Sequence, residues 1–488
     1  PQREIESFDI LKDASATAIF GSRGAPGVLI ITTKKNKAGK TTMEYSGSTS
    51  LDFIPKKLDM LNADEWWAAA QSVGVPASAN HGSNTDWYGL LTQTGISQTH
   101  TLSFGGGTDK FNYRASLTAI MQDGVVINSS NKKYIGRIQA TQLALDDKLK
   151  LTFNLNTGIN NTTSIIQSIG TAAYLGNLIT NAYLVRPTDP VYNTDGSYFT
   201  DPNVFQYLNP YATAQTVSNN AENDNLFASL KADLDLAKGL TANWFGSWRK
   251  TNTTDGYYLP VASTSAYAID QNGYGNVRNR RQNEKLTNFS LNYKRTFGIH
   301  NINVLGLYEW QNQMYQGNFA QVRGFINDDA TYNALQLGDL TKIRPGDIES
   351  YKNDRTLASF LGRVNYSLLV RYLITASIRR DGSSVFGVNN KWGNFPSASV
   401  AWQIEKEPFM RNQNLFDELK LRAGYGETGN QQGLYPQNSI SLVGSGGTTY
   451  FGGSPITNYI ITQNANADLM WESKKQTNLG LDFALGSN

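Results

Sequence analysis

Residues 8–35 read Phe8-Asp-Ile-Leu-Lys-Asp-Ala-Ser-Ala-Thr-Ala-Ile-Phe-Gly-Ser-Arg-Gly-Ala-Pro-Gly-Val-Leu-Ile-Ile-Thr-Thr-Lys-Lys35. The stretch predicts a strand, a short helix and a second strand. Asp13 or Ser15 can accept hydrogen bonds from the free N–H groups of a helix starting near Ala14, and Gly21 can supply the positive φ that stops it. Val28 to Thr32 is a β-forming run. The glycine and turn content suits a compact α/β piece better than a membrane strand.

Outward from this stretch the pattern changes. From Met43 onward apolar and polar residues alternate with period two over segments of about 9 to 13 residues, the length a tilted strand needs to cross a bilayer. In one such segment Leu149, Leu151, Phe153 and Leu155 alternate with Lys150, Thr152, Asn154 and Asn156. In another, Phe111, Tyr113, Ala115 and Leu117 alternate with Lys110, Asn112, Arg114 and Ser116. The same alternation runs through Met43–Phe53, Gln98–Gly105, Tyr134–Leu145, Leu226–Leu236, Leu240–Lys250, Leu286–Phe297, Ile302–Trp310, Leu357–Leu368, Tyr372–Arg379, Phe395–Ile404, Leu419–Glu427 and Asn478–Leu485. That makes about fourteen strands.

The connectors separate a barrel from a sandwich. Tight turns fall at 105–109, 146–148, 237–239, 298–301 and 369–371, with a longer one at 405–417, and between them lie long segments at 54–97, 123–133, 160–225, 251–285, 311–356, 381–393 and 429–475. Short turns on one rim and long loops on the other are the pattern of outer-membrane barrels, and a sandwich has no reason to sort its loops this way. The expected fold class is therefore all-β: a transmembrane antiparallel β-barrel preceded by part of an α/β domain.

The opening stretch is similar to the end of the plug domain of TonB-dependent outer-membrane transporters, in the form found in the SusC/RagA branch. Further motifs resemble that branch in its own order: Leu61-Asn-Ala-Asp-Glu-Trp66, the run His100 to Leu117, the run Arg379 to Trp402, Leu419-Lys-Leu-Arg-Ala-Gly-Tyr-Gly-Glu-Thr-Gly-Asn-Gln431 and Ala467-Asp-Leu-Met-Trp-Glu472. Phe20, Pro26 and Met470 depart from its usual Tyr, Asn and Lys.

The resemblance implies that residues 1–40 end a plug and residues 41–488 begin a barrel. It also implies that Lys12, Asp13, Gly21, Ser22, Arg23, Gly24 and Gly27 form the plug–barrel contact. Its further implications are TonB-dependent import of an oligosaccharide, glycan or peptide, a SusD-like surface lipoprotein as partner, and a place among outer-membrane lipids of a Gram-negative bacterium of the Bacteroidota. Plugged transporters have about 22 strands, so roughly eight are expected beyond Asn488. The chain opens at Pro1 without an initiator Met or a secretory signal, so it reads as a fragment whose TonB-contacting segment lies upstream.

Composition narrows the alternatives. The 488 residues are 40% hydrophobic and 17% charged, with a mean hydropathy of -0.41. No apolar run approaches the roughly 20 residues of a spanning helix. Zero cysteines exclude a disulfide scaffold and Cys-ligated metal. A net charge of +3 gives no electrostatic reason to expect nucleic acid.

Catalytic and cofactor patterns are weak. Ala38-Gly-Lys-Thr-Thr42 resembles the end of a phosphate-binding loop, but Lys34 stands where its first glycine belongs. Gly21 to Gly27 follows a helix where a dinucleotide fingerprint precedes one. His81, His100 and His300 have no second ligand at metal spacing, and Val191 breaks a calcium reading of Asp189 to Gly196, leaving Asn193 to Gly196 as a turn. Asp381, Glu405, Glu407 and Glu427 fall at strand ends as solvated or network charges rather than a glycosidase pair, and no Ser/His/Asp order stands out. No enzyme, cofactor or metal is expected.

Arg23, on a short loop leaving a buried helix, needs a carboxylate on the lumen wall or the plug; the pair reads first as a permanent structural ion pair and second as a latch that gives way when the plug rearranges. Aromatics of the long segments, Trp87, Tyr88, Tyr192, Tyr198, Phe199, Tyr257, Tyr258, Tyr267 and Tyr274, are candidates for stacking on substrate or partner, or for anchoring at the membrane interface. Competing functions are a non-transport receptor or adhesin, a passive pore and a barrel enzyme; the stopper signature favours import over all of them.

Overall fold

The computed structural model describes residues 5–11, 18–24, 27–33, 39–165, 177–204, 207–263, 271–413 and 415–485. Lys12, Asp13, the helix start near Ala14 and Tyr267 lie outside them.

Strands β1 (Ile5–Leu11) and β2 (Val28–Thr33) pair with each other as a separate antiparallel hairpin. Between them Ala18–Gly24 forms a 3-10 segment kinked at Gly21. A 14-stranded antiparallel sheet follows. Its first seven strands are β3 (Gly39–Asp52), β4 (Gly95–Gly107), β5 (Phe111–Asp123), β6 (Ser130–Ala144), β7 (Leu149–Thr163), β8 (Ser218–Ala237) and β9 (Leu240–Leu259). Then come β10 (Tyr274–Phe297), β11 (His300–Arg323), β12 (Ile348–Leu368), β13 (Tyr372–Ser383), β14 (Trp392–Gln403), β15 (Phe416–Asn430) and β18 (Glu472–Leu485). Each strand of the sheet bonds the next, β15 passes directly to β18, and the outermost strands, β3 and β18, do not close on each other.

Because consecutive strands alternate direction, connectors alternate rims, and the longest, 53–94, 164–217, 324–347 and 431–471, all fall on one; the opposite rim has tight turns except for 404–415 between β14 and β15. The fourteen expected strands are all present, but β8 to β12 run 20 to 24 residues, well beyond the predicted spans. The far half of β10 is largely polar on both faces from Asn276 to Lys285, so hydrophobic alternation there is silent where the strand continues. The β5–β6 connector is a six-residue turn, 124–129, shorter than expected. Of the stretch Ala38 to Thr42, residues 39–42 open β3 and Ala38 lies outside the described residues.

The long loops are not featureless either. They hold α1 (Ala63–Ser72), α2 (Trp87–Leu91), α3 (Leu178–Leu184), α4 (Pro210–Thr216) and a hairpin of β16 (Leu442–Phe451) and β17 (Ser454–Gln463). Asn62 and Glu65 close a capping box on α1. Helices α2, α3 and α4 are too short to hold themselves and pack on one apolar cluster of Trp87, Leu91, Val126, Leu178, Ala182, Leu208, Leu259 and Tyr274. This cluster ties three loops to the upper ends of β9 and β10.

Period two gives the wall two faces. Tyr308 and Phe360, paired across β11 and β12, are exposed on one, with Phe289 of β10 beside them. Glu309, Ser359 and Asp381, paired across β11, β12 and β13, are buried on the other. The N-terminal segment lies against this second, inner face.

Candidate functional site

The site is the place where Ala18–Gly24 meets the inner face. Arg379 on β13 is 1% exposed although it carries a charge, and three groups account for its position. Its Nε donates to Asp381 Oδ1 at 2.7 Å, its Nη1 to the Ile19 carbonyl at 2.8 Å and its Nη2 to Glu309 Oε1 at 3.4 Å. Arg23 Nη2 donates to the same Glu309 oxygen at 2.6 Å. Two arginines and two carboxylates thus form a neutral cluster, one arginine brought by the N-terminal segment and the other three charges by β11 and β13.

The local sequence fits this seat. Gly21 has φ +60, where an L side chain is strained, and a Cβ there would lie 2.3 Å from Arg379 Nε. Ser22 is buried, and its hydroxyl, like those of Ser359 and the second oxygen of Asp381, has no hydrogen-bond partner among the described residues. The Gly24 carbonyl accepts from Gly27 N–H at 3.0 Å, and Gly27 turns the chain into β2 with φ +108. Glu309 was not singled out by sequence reading. Arg379 and Asp381 carried a usable signal: two residues apart in a strand, they must share a face.

The aromatic candidates divide between the loop core and its surface. Trp87 and Tyr258 are buried; Trp87 Nε1 donates to the Arg186 carbonyl and the Tyr258 hydroxyl to Asp328 Oδ1, so both rings belong to the packing. Phe199 packs edge-on against His81 and Tyr207, and Tyr257 against Tyr274. Tyr192, nearly half exposed, stacks on Tyr198 at 5.2 Å. Tyr88 stacks on Tyr183 at 5.1 Å beside a cavity of about 440 Å³ that Trp66, Asn62, Asn84 and Asp86 also line.

Charged groups inside the loops are structural. Buried Asp189 receives His81 at 2.8 Å and Arg186, which also reaches Asp201. Asp189 therefore anchors loops rather than opening a calcium site, and Gly196 N–H closes a turn on the Asn193 carbonyl. Burial pushes Asp201 up, but the hydrogen bonds from Arg186 and Asn203 outweigh it and hold the carboxyl below its ordinary range. His100 and His300 each pair with a tyrosine hydroxyl, and among the described residues no group of His, Cys, Asp and Glu is placed to hold a metal. Glu407 accepts from Tyr372, Trp402 and Arg371, and Glu427 from Tyr425, as network charges.

Comparison with known proteins gives the same fold. The family model described as TonB dependent receptor-like, beta-barrel, matches residues 166–488. The chain is 34% identical to TonB-dependent receptor P3 of Formosa agariphila, over 100% of this chain and 48% of that protein. It is 31% identical to TonB-dependent receptor SusC of Bacteroides thetaiotaomicron, over 98% and 49%. The chain thus spans about half the length of the curated relatives it matches. A structure of the RagAB peptide importer in the 'closed-closed' state superposes with a TM-score of 0.82 at 23% identity, covering 99% of this chain and 57% of that one, which shows likeness of fold. A polar-seated N-terminal segment, a meander of bilayer-spanning strands with its loops on one rim, and the sequence match together establish that the chain belongs to the TonB-dependent receptor-like β-barrel family and is of the SusC/RagA type.

Proposed function

We propose that this chain is part of an active importer in the outer membrane of a Bacteroidota bacterium, in which residues 1–40 end a plug and residues 41–488 form wall and mouth. The observation that carries the reading is the Arg23–Glu309–Arg379–Asp381 cluster. It holds the N-terminal segment to the inner wall through charges rather than through an apolar seam. Such a contact is specific when formed, yet once water enters, its charges can be solvated separately. It can therefore act as a latch that yields when the plug is pulled by TonB. The chain's role is passage of cargo, not catalysis.

The cargo under this proposal is an oligosaccharide or a peptide, with a SusD-like lipoprotein covering the mouth; the likeness in fold to a RagAB peptide importer supports the peptide reading. The Tyr88–Tyr183 pair offers a flat aromatic surface of the kind sugar rings and peptide side chains stack on. The test is uptake of labelled maltooligosaccharide and of a labelled peptide mixture by cells expressing the protein, with and without TonB, after surface expression has been checked. Uptake that stops without TonB while surface binding persists supports the importer; uptake that continues without TonB indicates a passive pore, and binding without uptake in either strain a receptor or adhesin.

A further inference from the structure

The register of β9 to β12 turns the outer face into rows that can be followed from lipid to solvent. Trp244, Phe289, Tyr308 and Phe360 form one row straight across the four strands. Trp310 lies in the next row out and Trp248 in the row after it; Met314 follows, and past it the outer face is polar. Three rows past Trp310 stand Asn252, Arg281, Gln316 and Lys352. They line an open groove of about 740 Å³, and the row above adds the amides of Asn279 and Asn318 to it. Four residues separate the Trp248 row, at Asn312, from Gln316, or about 13 Å along a strand and about 10 Å along the membrane normal after tilt. Arg281 and Lys352 are two strands apart, about 10 Å.

The charges of this groove are left open on the side facing away from the wall. Arg280, pointing inward, is paired with Asp255 at 2.6 Å. Arg281, pointing outward, gives its Nε to the Asn252 side-chain oxygen at 3.2 Å, and neither it nor Lys352 meets a carboxylate among the described residues. One row nearer the apolar band Asp354 faces outward together with Lys250 of β9, and Asp224 and Glu222 continue the two rows of the groove onto β8, so within those two rows the cations are Arg281 of β10 and Lys352 of β12. Two exposed cations set among amides are complementary to a phosphate carried on a sugar.

We propose that this groove binds the phosphorylated saccharide head group of a glycolipid of the outer leaflet. The distance favours it: a glycerophosphate sits directly on its acyl chains, level with the aromatic row, whereas a phosphate carried on a sugar stem reaches the Arg281–Lys352 row. The proposal rests on the outer-membrane placement of the wall and is independent of transport.

The experiment uses the protein purified in detergent and stripped of lipid, with binding of a phosphorylated lipooligosaccharide followed by native mass spectrometry. The double variant Arg281→Gln, Lys352→Gln should bind about tenfold more weakly, the loss expected for two exposed charge contacts. Arg295→Gln, an outward cation at the opposite rim lying over Phe297, should bind as the unmodified protein does. The same glycolipid after chemical removal of phosphate should bind unmodified protein and double variant alike, and weakly. Equal binding of the phosphorylated form by unmodified protein and double variant overturns the proposal. So does tight binding of the dephosphorylated form, or displacement of the glycolipid by millimolar inorganic phosphate, which would mark a site for free phosphate.

Discussion

The guanidinium of Arg379 fills the place where residue 21 would carry a side chain: a Cβ on Gly21 would sit 2.3 Å from Arg379 Nε and 2.6 Å from Cζ. Arg379 cannot swing aside cheaply, because Asp381, Glu309 and the Ile19 carbonyl hold it. Gly21→Ala should therefore unseat the N-terminal segment, adding the collision to backbone strain of about 1–3 kcal/mol. Hydrogen exchange of residues 18–24 should accelerate while that of β11 and β13 is unchanged; unchanged exchange at 18–24 would show that the seat tolerates a side chain.

Arg379→Met keeps much of the volume and removes the charge, leaving Glu309 and Asp381 buried with fewer partners. The expected loss is about 3–5 kcal/mol, read as a lower unfolding temperature together with faster exchange at residues 18–33. Arg23→Ala should cost less, about 1 kcal/mol, because its side chain is 41% exposed and water can replace it. Equal losses for the two would contradict this ranking.

Trp87→Ala should open the core beneath α2, α3 and α4. Removing a buried Trp costs about 3–5 kcal/mol, and here the loss is local. Limited proteolysis should cut residues 178–217 readily while the wall stays intact. Lost substrate binding with unchanged protease resistance would instead place Trp87 at a ligand.

Acid should loosen the same loops. The Asp201 carboxyl is held below its ordinary 3.8, so the loosened loop binds more protons than the packed one. Its contribution is fully present above the ordinary value and is lost as pH falls through the depressed one. Proteolysis of residues 186–217 should be flat from pH 7 to pH 5 and rise only below about pH 4. Asp201→Asn should raise it at every pH and flatten the profile.

Much of the wall was legible because lipid on one side and a polar interior on the other impose a two-residue period, as in Leu149 to Leu155. Where both faces meet water, as from Asn276 to Lys285, the period vanishes and strand length could not be read. The hairpin of β16 and β17 was missed for a similar reason: Tyr450, Phe451, Tyr459 and Ile461 are exposed and follow no core. At the site, Gly21 and Arg23 stood out by local chemistry. Glu309 did not, since nothing in its own strand marks it as the residue that an arginine 286 positions earlier will meet.

That separation bears on the order in which the protein can be assembled. Every strand of the sheet before β15 pairs with a sequence neighbour, so each hairpin can form as soon as its second strand is delivered, at a small loop-closure cost. The seat of Ala18–Gly24 on the wall comes late, because the Ile19 carbonyl meets Arg379 360 positions later and Arg23 meets Glu309 286 positions later. First made, this segment is among the last to be seated. Its seating does not cover the hairpin it carries: Phe8, Ile10, Leu29 and Ile31 of β1 and β2 stay exposed with β13 in place, so the order of assembly is set by the polar cluster alone.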